Sequence, residues 1–244
     1  MSITRRLWQS VKSFVVVLAV MSASIVPAAR ADGLVRSLPE DGSWVKYNIR
    51  MQANDASITG TVRVASVGKG FTEAGACRWI EVRLETTGPS EGTISARAKF
   101  LVPESSVERG KDPTMLLEKK WLKMADGPLT DLKVEPFEPV DHLLKLFAGP
   151  PLMGAEALPA IAIANKLGNL DCPGETGKTE LLALGAKLKP QIEARWNDKV
   201  PFGTVEYRMS FQETLPGDNK LEVSIHLTYE DSGDGATTEL PDAQ

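Results

Sequence analysis

The chain has 244 residues, of which 42% are hydrophobic and 25% charged, with a formal net charge of −4. This is an ordinary balance for a soluble globular protein. The acidic excess argues against nucleic acid or an anionic membrane as partner, because both are bound through basic patches.

Residues 1–31 have the layout of a signal peptide. Arg5, Arg6 and Lys12 form a basic start, Phe14 to Met21 an apolar core, and Ala29-Arg30-Ala31 a small-x-small cleavage site with Asp32 as the new N-terminus. Ser22, Ser24 and Pro27 interrupt the apolar run well short of the roughly 20 residues that a membrane span needs. No transmembrane segment is expected after cleavage. Thr4-Arg5-Arg6 is a weak match to a twin-arginine signal, and no Cys follows the apolar core, so a lipid-anchored N-terminus is not expected. Cleavage removes four basic residues and no acidic one, leaving 24 basic against 32 acidic residues, a net charge of −8. The predicted location is periplasmic or secreted. Both cysteines, Cys77 and Cys172, lie in the exported part. An oxidising compartment allows a disulfide between them, the alternative being two buried free thiols.

Period-two alternation begins at Ser43. Trp44 to Met51 and Ile58 to Val67 read as a hairpin turned at Asn54-Asp55, followed by a glycine-bracketed loop at Gly68, Gly70 and Gly75. Arg78 to Thr87 and Thr93 to Val102 add two strands, giving a meander with one apolar and one charged face. Asp112-Pro113 then reads as a helix start, with Leu117, Trp121 and Met124 at i, i+4 and i+7 and Gly127-Pro128 as the stop. A second short helix is expected over Val140 to Phe147 and a third over Ala157 to Lys166. The stretch from Gly149 to Pro173 reads either as a lid over the sheet or as a plain crossover. Strands resume over Thr179 to Leu188 and Ile192 to Trp196. Pro201-Phe202-Gly203 makes a corner, and Thr204 to Thr214 pairs with Leu221 to Leu227 in the strongest hairpin pattern of the chain. From Asp231 onward the tail, residues 231–244, reads as acidic and disordered.

Motifs with chemical meaning are scarce. Gly174-Glu175-Thr176-Gly177-Lys178-Thr179 imitates part of a phosphate loop, but Cys172 stands where the first glycine is needed, and a turn entering a strand explains it better. Asp231-Ser232-Gly233-Asp234-Gly235 lacks the third-position oxygen and the twelfth-position Glu of a calcium loop. His142 and His226, the only histidines, form no metal spacing, and His226 should face away from the apolar side of its strand. There is no Gly-x-Ser-x-Gly elbow. Glu81 and Glu85 sit at even spacing on the polar face of their strand, where solvation accounts for them. No catalytic residue, metal or cofactor is expected, and the chain reads as non-enzymatic.

The exported meander, the helical segment and the closing hairpin reached through Trp196 and Val200-Pro201-Phe202-Gly203 resemble the lipoprotein-localisation-factor superfamily of LolA/LppX-like half-barrels, and uncharacterised secreted bacterial proteins with a similar corner. The resemblance implies an α+β fold: a curved antiparallel sheet of about seven to eight strands with two or three helices on its concave face. It places one β-rich domain over residues 32–230, with a helical insertion near 112–166. A pocket for a lipid or apolar small molecule would be lined by Leu117, Trp121, Leu143, Phe147, Trp196, Phe202 and Phe211. The competing expectation is a filled core and an exposed sheet edge that pairs with a protein partner.

Overall fold

Alternation between apolar and polar side chains governs the structure, a computed structural model that describes residues 35–54, 56–88, 92–107, 117, 119–125, 127–131, 152–183, 186–215 and 219–240. Strand β1 (Trp44–Ala53) buries Val45, Tyr47, Ile49 and Met51 on one side and leaves the residues between them more open. The same rule runs through β2 (Ala56–Thr72), β3 (Gly75–Gly88) and β4 (Gly92–Pro103), whose buried sets include Val62 and Val64, then Ile80, Val82 and Leu84, then Ala98 and Phe100. Burying one such aliphatic side chain contributes about 1.5–3 kcal/mol, so register is fixed by keeping every strand's apolar set on one face.

The remaining strands are β5 (Lys119–Met124), β6 (Leu129–Asp131), β7 (Met153–Asn165), β8 (Gly168–Lys178), the short pair β9 (Leu181–Ala183) and β10 (Ala186–Leu188), then β11 (Gln191–Trp196), β12 (Thr204–Leu215) and β13 (Asn219–Gly233). Eleven of them form one sheet in the order β6-β5-β4-β3-β2-β1-β13-β12-β11-β8-β7, and every pairing is antiparallel. The first strand therefore pairs with the last. One apolar cluster runs across the core face, from Phe100 and Val82 through Tyr47 and Ile225 to Met209, Ile192 and Cys172.

The α+β expectation of seven to eight strands and two or three helices is overturned. Among the described residues there is no α-helix, only a three-residue 3-10 turn at Glu104–Ser106. The helical stripe fails at Trp121, which lies in β5: Lys119 pairs with Leu101 and Met124 with Ala96 along β4. Trp121 and Leu122 are both buried because they project to opposite faces of the strand, not because they share a helix face. The helix expected over Ala157 to Lys166 is β7 and its turn, and the lid-or-crossover stretch contributes the β7–β8 hairpin. Inter-strand pairing outweighs the high helix propensity of its alanines. The start at Asp112 and the helix over Val140 to Phe147 lie outside the described residues.

The meander, the corner and the final hairpin agree with the sequence pattern. Val200-Pro201-Phe202-Gly203 is a tight turn closed by Gly203 N–H donating to the Val200 carbonyl at 2.8 Å. Phe202 adopts φ 64°, a left-handed conformation rare for a bulky residue, while the residue is 1% exposed. The disulfide does not form: Cys77 on β3 and Cys172 on β8 are buried free thiols, with five strands between theirs in the sheet order. The tail is ordered as far as it is described. Asp231 to Gly233 finish β13, and residues 234–240 lie along the charged face, with Leu240 only 2% exposed.

Candidate functional site

Of the seven residues expected to line one pocket, the five that are described fall in different surroundings. Leu117, Phe202 and Phe211 belong to the core cluster. Trp121 lies on the opposite, charged face, 5.1 Å from Trp79. Trp196 is half-buried beneath the Arg36 guanidinium at 3.5 Å. Leu143 and Phe147 lie outside the described residues.

Two tyrosines supply polar atoms inside the core. Tyr47 Oη donates to the Thr204 carbonyl at 3.1 Å. Tyr207, fully buried one strand beyond β13, has a hydroxyl with no hydrogen-bond partner among the described residues. Burial pushes both phenols far above the usual tyrosine range, and Tyr229 adds to the effect at Tyr47.

At one end of the sheet, β7 has no second neighbour among the described strands. Its thirteen residues are almost all open to solvent although they are mainly Ala, Ile, Leu and Met, and Met153 and Ile161 are 40% and 42% exposed. The tip of the β7–β8 hairpin leaves the plane of the sheet. Lys166 reaches Asp231 on β13 at 2.6 Å, Arg195 donates to the Pro159 and Cys172 carbonyls, and Leu170 and Cys172 are buried in the core. Pairing with Lys166 holds the Asp231 carboxyl below its ordinary value and raises the lysine, while burial and nearby Asp171 push the Cys172 thiol up.

The charged face holds the most elaborate polar arrangement. Register places Lys46, Arg63, Arg83, Arg97 and Lys123 directly opposite one another on β1 to β5. Like charges in such a row repel. Glu239 relieves part of this repulsion, lying 3.6 Å from Arg63 and 3.3 Å from both Arg83 and Arg97. Glu85 pairs with Arg83 at 2.6 Å and raises its pKa, and Glu230 pairs with Lys46 at 3.0 Å. Lys123 has no partner among the described residues.

The neighbouring row, Ala65, Glu81, Lys99 and Trp121, holds the backbone of the tail. Glu81 accepts from Glu239 N–H at 3.0 Å and from Thr238 Oγ1 at 2.9 Å. Lys99, 1% exposed and 5.0 Å over the Trp79 ring, donates to Thr238 Oγ1 at 2.9 Å and to the Leu240 carbonyl at 3.3 Å. Ala236 N–H bonds the Gly42 carbonyl at 2.7 Å, and Ser43 Oγ bonds Asp234 at 3.1 Å. A cavity of about 10 Å³, room for about one water, remains between Arg63, Glu81, Arg83, Thr237 and Glu239. Glu81 is therefore not a solvated carboxylate but a buried acceptor.

The other motifs resolve into structure. Gly174 to Lys178 of the imitation phosphate loop are strand β8, between β7 and β11, not the expected turn, and a Cβ on Gly174 would stand 2.8 Å from the Ala194 carbonyl, so close packing explains that glycine. Asp231 and Asp234 point to separate partners, and among the described residues no group of three His, Cys, Asp or Glu converges as metal ligands. His226 lies on the polar face as expected, 2.7 Å from Glu206, which also pairs with Arg208. His142 lies outside the described residues. Among the described residues no helix is long and apolar enough to cross a membrane.

No protein-family model matches the sequence, and no curated protein matches it significantly. Solved structures similar in outline include a Bacteroides fragilis protein assigned as exported with a YmcC-like fold, at 9% identity and TM-score 0.39, covering 84% of this chain and 100% of that one. A Parabacteroides distasonis protein assigned as a lipoprotein is 10% identical at TM-score 0.36, covering 83% and 100%. A DUF1329 family protein from Desulfovibrio piger is 9% identical at TM-score 0.31, covering 79% and 85%. At these scores the likenesses carry no argument about site or function.

Proposed function

We propose that this is an exported, non-enzymatic binding protein that works by contact with another polypeptide taken up in extended form at the β7 edge. Export is inferred from the basic, apolar and small-residue pattern of residues 1–31. The observation behind the partner is β7: a long, apolar, solvent-open strand with no second neighbour among the described strands. Natural sheets blunt such edges with charge, proline or bulges, because a row of unpaired N–H and C=O groups recruits further strands. Here Pro159 and the register shifts at Met153/Glu156 and Leu158/Ile161 blunt only the first half. Ala160-Ile161-Ala162-Ile163-Ala164 is left uncharged and free of proline.

The test is a scan of photo-crosslinking residues along 156–164 in cells exporting the protein. Strand addition should give one adduct whose yield alternates with period two and is lost with proline at alternate positions of 160–164. Adducts without alternation, or none along β7, would sink the reading.

A second reading, carriage of an apolar or lipid-like ligand, is favoured by Tyr207. Ligand pockets are apolar walls with a few polar anchors, and a buried hydroxyl without a partner among the described residues suits an anchor. Native mass spectrometry of the exported protein tests this: a co-purifying lipid-sized mass supports it, and a bare polypeptide refutes it.

A further inference from the structure

We propose that the charged face of β1 to β5 is a peptide-binding site for an extended acidic segment of a partner polypeptide, and that residues 236–240 are its tethered competitor. This site goes beyond the β7 reading and does not depend on it.

The groups match a peptide and nothing simpler. Glu81 takes a backbone N–H and a hydroxyl, Lys99 takes a backbone carbonyl, and Arg63, Arg83 and Arg97 close on one carboxylate. Arginine clusters of this kind bind carboxylates tightly because several charge-assisted donors converge on one group. A phosphate or a lipid headgroup would also meet the Arg row, but it offers no N–H to Glu81 and would be repelled by that carboxylate. An extended chain bearing Glu satisfies both rows at once.

Among the described residues the site is under-neutralised: five cations stand in the row, and three carboxylates, Glu239, Glu85 and Glu230, form ion pairs with it. A partner segment with more acidic residues than Thr238-Glu239-Leu240 would find Lys123 still unpaired. The tail holds its place through tethering, since a short linker gives an effective concentration of order mM. A trans ligand must outcompete that local supply, so occupancy depends on partner acidity and salt.

The experiment uses a chain ending at Gly235 and a fluorescent peptide copying residues 234–244, followed by anisotropy. The shortened chain should bind the peptide saturably and at least about tenfold more tightly than the intact chain does. Glu239→Gln in the peptide should weaken binding about tenfold, and added salt should weaken it further. If the shortened chain misfolds, the intact chain with Thr238→Val and Glu239→Gln replaces it and should bind the unchanged peptide more tightly than the parent does. Three results would overturn the proposal: no binding up to about 1 mM by a folded chain with an opened site, equal binding of the Glu239→Gln peptide, or displacement of the peptide by phosphatidylglycerol vesicles or inorganic polyphosphate. Proline variants in β7 should leave peptide binding unchanged.

Discussion

Replacing Tyr207 by Phe should stabilise the protein, whereas the same change at Tyr47 should destabilise it. Both rings are fully buried on neighbouring parts of the core face, and the variants differ chiefly in the hydroxyl's partner: the Tyr47 hydroxyl donates to the Thr204 carbonyl, and the Tyr207 hydroxyl has no partner among the described residues. A buried polar group that gives up water without compensation costs about 1–3 kcal/mol, while a satisfied hydrogen bond contributes about 0.5–1.5 kcal/mol net. Tyr207→Phe should thus gain about 1 kcal/mol or more, and Tyr47→Phe should lose about 1 kcal/mol. In a chain of this size each kcal/mol moves Tm by about 2–4 °C. The assay is urea unfolding of protein refolded from denaturant, so that no co-purifying ligand is bound. Equal destabilisation by both changes would refute the reasoning and remove Tyr207 as a polar anchor.

Three further outcomes are expected. Gly60→Ala should cost about 3 kcal/mol or prevent folding, because its Cβ would stand 2.0 Å from the Glu85 carbonyl oxygen, which is backbone and cannot step aside; a soluble variant with an unchanged urea midpoint would contradict this. Stability should fall above about pH 10, where the unfolded chain ionises its tyrosines while burial keeps Tyr47 and Tyr207 protonated. The unfolded state then binds fewer protons than the folded one, so Tyr47 and Tyr207 each subtract about 1.4 kcal/mol per pH unit, and their share of the tyrosinate absorbance should rise only with unfolding. Cys77 and Cys172 should resist thiol reagents in the native protein and both react in denaturant, with no mass change on reduction.

Legibility in the sequence followed the physics of each element. β12 and β13 could be read because Val205, Tyr207, Met209 and Phe211 alternate strictly against Leu221, Val223, Ile225 and Leu227, and each set fills one face. β5 could not, since both its faces are covered: Leu122 enters the core, while Trp121 packs with Trp79 on the charged side, so the alternation that marks a half-buried strand disappears. In β7 the alanines at 160, 162 and 164 carry no facial signal and favour helix when read locally. Arg63, Arg83 and Arg97 were visible as polar positions, but their alignment depends on turn lengths and on the register shift after Ser66. Net charge misled in the same way: a chain with an acidic total can still concentrate five cations in one row. The tail gave no local sign of order because Thr238 and Glu239 find their partner, Glu81, more than 150 residues earlier in the chain.

The pairing of β1 with β13 sets a schedule for folding. The β1–β4 meander and the β12–β13 hairpin join neighbours in sequence and close early, at small entropic cost. The seam between them runs from Trp44 against Gly233 to Ala53 against Val223, and it cannot close fully until the end of β13 has been made. A chain whose β13 is not yet made thus holds the β1–β4 meander with the edge of β1 open. The sheet is completed only when the C-terminal strand arrives to pair with it.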